Sequence, residues 1–273
     1  MRRQNRQGWS VIVEAALGGR LASLRDPAGR EWLWHNPDPA VVAARARVKP
    51  GDPFVDAGGW EECFPTIAGA SDHGEIWSHS WMDEGGILSV AGEGYAFHRA
   101  IEATEQQLTV RYRLDAAPRF RFVWAAHLLL DLLPTARLEA APGTPCRVWP
   151  DHWRAPEPIV PVEGPWPVPL GAPLDALAPD GTALFFMLLG TREVSVADER
   201  RLTLRLEAPG QPTAVGVWRN LGGWPPTVPY RSIGVEPAIG RHYDRDLARP
   251  DDLGAVSSSG HLEWALHLQV EAG

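Results

Sequence analysis

The sequence predicts an almost all-β protein, with about a dozen strands in two packed sheets. Alternation of apolar and polar residues recurs along the chain and is clearest at 107–114 and 262–270. Residues that form turns are abundant, since the 273 residues include 27 glycines and 26 prolines. Helical periodicity is limited to one short segment, 39–48. With 44% hydrophobic residues, the chain has enough material for the core of such a sandwich.

Turn signals separate the predicted strands. Gly18-Gly19 and the run 26–29 bound the first three strands, because glycine reaches positive φ and proline fixes φ. The apolar run 120–132 is predicted as a strand, since phenylalanine, valine and tryptophan open it and Pro134 follows it. The predicted strands are 9–16, 21–25, 31–34, 86–91, 95–102, 107–114, 120–132, 183–189, 193–197, 202–207, 213–218, 232–235 and 262–270.

The chain shows no repeat of fixed period and no linker-like break in composition. We therefore expect residues 1–273 to form a single domain. The proline-rich stretch 150–173 is the best candidate for a linker, but it carries tryptophans and is predicted to be an ordered loop packed over the domain.

Charge and composition argue against nucleic acid and membrane as partners of this protein. The net charge is −8 and no basic face is evident, so we expect no nucleic acid partner. Arg2, Arg3 and Arg6 are predicted to form a solvated tail. No segment is apolar enough to span a membrane and the N-terminus lacks the apolar core of a signal peptide, so we expect a cytoplasmic protein with no membrane partner. Monomer and homodimer both stay open, since the sequence does not give the oligomeric state. Cys63 and Cys146 could form one disulfide, but two buried, reduced thiols are the favoured interpretation.

Three segments concentrate polar groups beside large aromatic side chains. The first, 58–81, is loop-like, and loops on a rigid scaffold are where binding residues collect. For each of its tryptophans, a place in a small satellite core is an equally good interpretation. Its notable residues are Trp60, Trp77, Trp81, Glu61, Glu62, Asp72, Glu75, His73 and His79.

The other two segments each hold one buried-strand candidate for chemistry. His127 interrupts an apolar strand, and a histidine there is either hydrogen-bonded within the core or used in function. Taken alone, the core interpretation is favoured. Glu236 closes a short apolar strand just before Pro237, where it is either functional or a water-facing edge residue.

Together, and in this order, these segments resemble the galactose mutarotase-like superfamily, which contains the aldose 1-epimerases. The resemblance spans nearly the whole chain. It rests on the segments 29–37, Gly59–Pro65, Asp72–Glu75, Trp124–His127, Trp218–Asn220, Ile233–Pro237 and the closing strand 261–270. The resemblance implies a large antiparallel β-supersandwich, with a small-molecule sugar bound in a cleft across one sheet.

The resemblance also implies roles in opening the sugar ring. Glu236 matches the family's base and His127 matches its acid, while His73 matches the histidine that binds the ring side of the sugar and assists the acid. Positioned proton transfer of this kind needs no metal and no organic cofactor, so neither is expected. Catalysis by a metal is further disfavoured because no two histidines show the i, i+4 spacing of a zinc enzyme.

The sequence departs from the family's usual pattern around two of these residues. An asparagine usually precedes the His-Gly pair, and a His-x-Tyr-Phe-Asn run usually surrounds the acid. Here the chain reads Asp72–Glu75 and 127–131, which predicts an altered sugar pocket. The family's hydroxyl-binding aspartate has no secure match, although Asp151 and Asp175 lie in the right interval. The predicted sugar contacts are Trp60 (slightly ahead of Trp77), Glu62, Asp72, Glu75, Trp77 and Asp175.

Three functions remain open at this point. The first is an aldose 1-epimerase acting on a free hexose or related sugar. The second is a hexose-phosphate 1-epimerase, whose pocket should hold two or more arginines. The third is a non-catalytic sugar-binding or sensing protein on the same fold. Arginines available for a phosphate are Arg99, Arg154, Arg219 and Arg231.

Overall fold

Two antiparallel sheets carry nearly all the regular structure of the computed structural model, which describes residues 2–6, 8–150 and 160–272. In chain order the elements are β1 Arg2–Arg6, β2 Trp9–Glu14, β3 Arg20–Arg25, α1 Pro39–Arg45, β4 Trp60–Cys63, β5 Met82–Glu84, β6 Ile87–Gly92, β7 Tyr95–Ala103, β8 Gln107–Ala116, β9 Arg121–Phe122, β10 Trp124–Leu130, β11 Arg137–Glu139, β12 Pro145–Pro150, β13 Val162–Pro165, β14 Ala183–Leu189, β15 Glu193–Ala197, β16 Arg200–Glu207, β17 Thr213–Trp224, β18 Tyr230–Ile239, β19 Gly254–Ala255 and β20 His261–Ala272. Short 3-10 turns cover Ile76–Ser78 and Pro250–Asp252.

The strand order puts β10 and β18 at the middle of the larger sheet. The ten-stranded sheet runs β1-β2-β3-β4-β10-β18-β17-β14-β12-β13, and the eight-stranded sheet runs β11-β15-β16-β20-β8-β7-β6-β5. Strands β9 and β19 form a separate pair. Among the described residues, no helix is long and apolar enough to cross a membrane.

The core lies between the two sheets and follows the alternation of the strands. On β20, Leu262, Trp264 and Leu266 face inward while Glu263 faces water. On β10 every residue is buried, because one face packs in the core and the other is covered by loops. That double burial explains why the apolar run around His127 shows no alternation in the sequence.

Most predicted strands are confirmed, with shifts of a few residues at their ends. The segment 120–132 divides into β9 and β10. The predicted strand 31–34 was wrong, since it makes only isolated bridges at Glu31 and Leu33. There the Glu31 carboxylate accepts hydrogen bonds from the backbone N–H groups of Leu24 and Leu33, at 2.8 and 3.1 Å, in place of a regular ladder. Strands β1, β4, β5, β11, β12, β13 and β19 were not predicted.

The predictions for the chain's less regular parts met mixed outcomes. Residues 2–6 are a strand paired with β2 rather than a solvated tail, because backbone pairing needs no apolar side chains. Helix α1 is shorter than predicted and ends at Arg45. Both cysteines are free and buried. Of the stretch 150–173, residues 151–159 lie outside the described residues, while Trp166 is buried.

Candidate active site

Two central strands of the ten-stranded sheet place a histidine beside a glutamate. In the antiparallel ladder Leu128 on β10 pairs with Val235 on β18. His127 precedes Leu128 and Glu236 follows Val235, so the two side chains project from the same face of the sheet. This is the outer face, away from the main core. His127 Nε2 lies 3.6 Å from Glu236 Oε1, and both side chains are almost fully buried. The pair combines a carboxylate and an imidazole out of contact with bulk water.

A loop brings a second histidine to the same place. His73 has a positive φ of 61°, and its backbone N–H donates to the Ile67 carbonyl at 2.7 Å. Gly74 follows with φ 72° and approaches Phe64 so closely that a Cβ would lie 2.2 Å from its carbonyl oxygen. Only glycine fits there. The His-Gly dipeptide is therefore required by the backbone as well as by chemistry.

Ring contacts fix the orientation of the two histidines. Phe54 stacks on His73 with ring centroids 3.5 Å apart, and the His127 ring stands perpendicular to His73 at 4.8 Å. Asp72 holds the far side of His73, with Oδ1 3.0 Å from Nδ1. Since Nδ1 faces this carboxylate, the other ring nitrogen, Nε2, is left for a ligand or for proton transfer.

These residues line a cleft of about 590 Å³ on the outer face of the ten-stranded sheet, a size typical of small-molecule sites. Two walls are rich in aromatic rings, which suits the apolar faces of a sugar ring. The cleft is lined by Phe54, Asp56, Ile67, Ala68, Gly69, Asp72, His73, His127, Phe185, Trp218, Trp224, Tyr230, Glu236 and Tyr243.

Burial changes the acid–base properties of Glu236. The residue is about 1% exposed, and its Oε2 atom has no hydrogen-bond partner among the described residues. Desolvation raises the pKa of Glu236 from 4.5 to about 7, with the charge of His73 acting in the opposite direction. The carboxylate is thus poised to exchange a proton near neutral pH.

The two histidines differ in charge. Burial lowers the pKa of His127 well below 6.5, and the positive charge of His73 lowers it further. For His73 burial acts in the same direction, but the carboxylate of Asp72, together with Glu236 and Glu61, outweighs it and raises the pKa above 6.5. The opposite shifts favour a neutral His127 beside a His73 that keeps its proton to higher pH.

The two adjacent glutamates of β4 face opposite sides of the sheet. Glu61 lies beside His127 in the β4–β10 ladder, and Arg45 donates to both of its carboxylate oxygens at 2.9 and 3.0 Å. Glu62 points into the main core and accepts from Arg99 at 2.8 Å. Glu62 was predicted to bind sugar, but the alternation of the strand places it away from the cleft. Glu61 is the one that faces the site.

Four other predicted sugar contacts also lie outside the cleft lining. Trp60 is fully buried in the main core, on the same side of β4 as Glu62. Trp77 packs edge-on behind Phe54 at 5.0 Å and is 1% exposed. Glu75 accepts from the Tyr95 hydroxyl at 3.0 Å. Asp175 pairs with Arg137 at 2.6 Å. Of the predicted contacts, only Asp72 remains at the cleft, and Asp151 lies outside the described residues.

The cleft contains residues that the sequence did not indicate. Asp56 and Phe54 come from the segment after α1, while Trp218 and Tyr230 come from β17 and β18. Only Trp218 carried a signal, since it belongs to the segment Trp218–Asn220 used for the resemblance. For the others no local pattern separates a cleft residue from an ordinary loop or strand-end residue.

Solved structures of similar shape place this arrangement among known folds. A galactose mutarotase related enzyme from Lactobacillus acidophilus aligns over 99% of this chain and 97% of that chain, with a TM-score of 0.68 and 15% identity. A galactose mutarotase-like protein from Lactobacillus casei aligns over 99% and 100%, with a TM-score of 0.66 and 16% identity. The chain has the galactose mutarotase-like fold.

A third structure extends this finding. A galactose mutarotase-like protein from Clostridium acetobutylicum aligns over 99% of this chain and 95% of that chain, with a TM-score of 0.58 and 12% identity. No protein-family model and no curated protein matches the sequence. At these identities the likeness establishes the galactose mutarotase-like fold alone, so function has to be argued from the cleft.

Proposed function

We propose that this protein is an aldose 1-epimerase that interconverts the α and β anomers of a free, uncharged sugar. The observation that carries the proposal is the group formed by the buried Glu236 and His127 with the half-buried His73 in one cleft. Their pKa values are pushed in different directions, which is the usual sign of an acid and a base assigned to separate roles.

The reaction needs one base and one acid. Glu236 takes the proton of the anomeric hydroxyl while a histidine gives a proton to the ring oxygen, and the bond between the anomeric carbon and the ring oxygen breaks. The resulting aldehyde turns about its bond to the next carbon. Reversal of the two proton transfers closes the ring on the other face. Each transfer from a positioned group contributes about 10²–10⁴-fold.

The charge difference between the histidines favours His73 as the proton donor. A donor must hold its proton at the working pH, and the pKa of His73 is raised whereas that of His127 is lowered. In this scheme His127 stays neutral and hydrogen-bonds the sugar or Glu236. This reverses the order implied by the family resemblance, in which His127 is the acid and His73 assists.

The geometry offers no support for a phosphorylated substrate. Among the residues that the structure describes, no arginine or lysine lines the cleft. Arg99 is paired with Glu62 in the core, Arg219 with Asp180, and Arg231 donates to backbone carbonyls. Arg154 lies outside the described residues. The three carboxylates in the lining, those of Asp56, Asp72 and Glu236, would repel a phosphate.

Anomer-exchange NMR on purified protein tests the proposal, with glucose, galactose, xylose and glucose 6-phosphate as substrates. We expect exchange above the buffer rate for at least one uncharged sugar, and a loss of about 10²–10⁴-fold in Glu236→Gln. Glu263→Gln is a matched control, because Glu263 is an exposed carboxylate on the outer face of the other sheet. That control should retain the wild-type rate.

The outcomes separate the competing functions. Wild-type exchange rates in Glu236→Gln would show that another group is the base. Broadening of sugar resonances without any exchange would favour the non-catalytic binding protein. Exchange of glucose 6-phosphate alone would favour the phosphate-specific enzyme.

A further inference from the structure

Asp56 is a half-buried acid of the cleft, and ring opening by Glu236 and the histidines gives it no role. It lines the cleft beside Tyr230. Side chains from other segments fix its backbone: Asn36 Nδ2 donates to the Asp56 carbonyl at 2.9 Å, and Arg20 Nη2 donates to the next carbonyl, that of Ala57, at 3.2 Å. The position of Asp56 is therefore set by the fold rather than by a free loop.

The two oxygens of the Asp56 carboxylate are treated differently. Oδ2 accepts a hydrogen bond from the Tyr230 hydroxyl at 2.7 Å. Oδ1 is buried and has no hydrogen-bond partner of good geometry among the described residues. Burial raises the pKa of Asp56, and the hydrogen bond from Tyr230 and the nearby backbone N–H of Gly58 only partly offset that shift. Trp34 stacks on Tyr230, with ring centroids 5.5 Å apart and 12° between the planes, so the phenol cannot easily turn away. A buried acceptor without a donor is costly, and a ligand could supply the missing donor.

The Asp56–Tyr230 pair presents acceptors only. The Tyr230 hydroxyl donates its hydrogen to Asp56, so its oxygen can only accept a hydrogen bond from a ligand. Such a pair fits a ligand that donates two hydrogen bonds from neighbouring atoms. Adjacent hydroxyl groups of a sugar do this. Asp72 and Glu236 add two further acids to the same cleft, which disfavours an anionic ligand.

We propose that Asp56 and Tyr230 bind two neighbouring hydroxyls of an uncharged sugar and thereby determine which sugar the cleft accepts. This inference rests on the function proposed above and adds the residues that determine its substrate specificity. Sites built to hydrogen-bond a hydroxyl reject analogues that lack it, since their own polar groups are then left unpaired.

A cycle of protein variants and deoxy sugars tests the pair. Wild type, Asp56→Asn and Tyr230→Phe are assayed by anomer-exchange NMR with glucose, galactose, xylose and the monodeoxy forms of the best of these. We expect Asp56→Asn to raise KM about 10- to 100-fold for the accepted sugar, with a much smaller change in kcat. For the monodeoxy form that lacks the bound hydroxyl, the variant and wild type should have similar KM values.

Tyr230→Phe keeps the ring against Trp34 and is the milder change. Tyr230→Phe should also raise KM for the accepted sugar. The rise should be absent for a monodeoxy sugar that lacks the hydroxyl next to the one bound by Asp56. Thermal unfolding of each variant is measured alongside. Equal losses on every sugar, or an unchanged KM on every sugar, would overturn the proposal.

The same cycle distinguishes this inference from the enzymatic one. If wild type exchanges no sugar, the epimerase proposal fails, and dissociation constants from NMR titration replace KM. A selective loss of binding in Asp56→Asn would then still support the hydroxyl-binding pair. If wild type binds none of these sugars, both proposals are overturned.

Discussion

Two concavities of nearly equal size lie on the outer faces of the two sheets. The cleft has a volume of about 590 Å³, and a second concavity on the eight-stranded sheet, here called the hollow, has about 570 Å³. The hollow is lined in part by His98, Arg111, Arg113, Asp115 and Glu263. Size and polarity alone would not tell the two apart.

They differ in how their charges are satisfied. In the hollow Arg113 contacts Asp115 at 2.8 Å, and His98 Nε2 lies 3.2 Å from the same carboxylate. Arg113 is about half exposed, so water screens these charges. In the cleft, Glu236 is buried and Asp56 is half-buried, and each has one buried carboxylate oxygen without a hydrogen-bond partner among the described residues. Unpaired buried charge is costly to keep, which makes the cleft the candidate for function.

A matched pair of histidines gives the largest expected contrast. His73 in the cleft and His98 in the hollow each lie beside an aspartate, at 3.0 and 3.2 Å. We expect His73→Gln to lower anomer exchange by about 10²–10⁴-fold, because it removes the proposed proton donor. His98→Gln should exchange at the wild-type rate. The assay is anomer-exchange NMR on both variants.

The pH profile distinguishes a proton donor from a structural residue. The rate should fall as pH rises through the raised pKa of His73, since only the protonated ring can donate. That alkaline limb should disappear in His73→Gln and persist in His127→Gln. Equal losses in His73→Gln and His98→Gln would mean that the comparison between the two concavities fails.

The strands of this fold could be predicted because alternation and turns are local properties. The site was harder. His127 and Glu236 were identified through the family resemblance, and the structure brings them together with His73. The sequence named Glu62 as a candidate sugar contact, but alternation says only that Glu61 and Glu62 face opposite sides of the strand. Which side holds the cleft depends on the pairing of β4 with β10.

Residues of the cleft that come from distant segments could not be predicted. Asp56 and Tyr230 are 174 positions apart, and their hydrogen bond exists only in the folded chain. Trp60 is the reverse case, a residue that the sequence indicated as a sugar contact and that lies outside the cleft. A tryptophan beside two glutamates suggests a sugar platform, yet it is fully buried in the main core. Local composition does not reveal which face of a strand is covered.

The second contrast concerns stability and pH. The pKa of Glu236 is raised to about 7, so the folded protein holds a proton that the unfolded chain releases near 4.5. Stability from this group is therefore present at low pH and lost as pH rises through this window. Relative to Glu236→Gln, the unfolding free energy of wild type should fall by about 2–3 kcal/mol between pH 5 and 8. Urea unfolding of both proteins at each pH measures this difference, and a flat difference would mean that burial does not hold the proton on Glu236.

The smallest effect is expected at Asp115 in the hollow, and it has the opposite sign. The hydrogen bond from Arg113 lowers the pKa of Asp115 below 3.8, although burial opposes this, so the stability it gives is present above that value and lost as pH falls through the folded pKa. Because the pair is exposed and screened, Asp115→Asn should change the unfolding free energy by less than about 0.5 kcal/mol. The change should vary far less between pH 5 and 8 than that of Glu236→Gln, measured by the same urea unfolding. A slope as steep as that of Glu236 would mean that the hollow also contains a buried, unsatisfied carboxylate, and charge pairing would then no longer distinguish the two concavities.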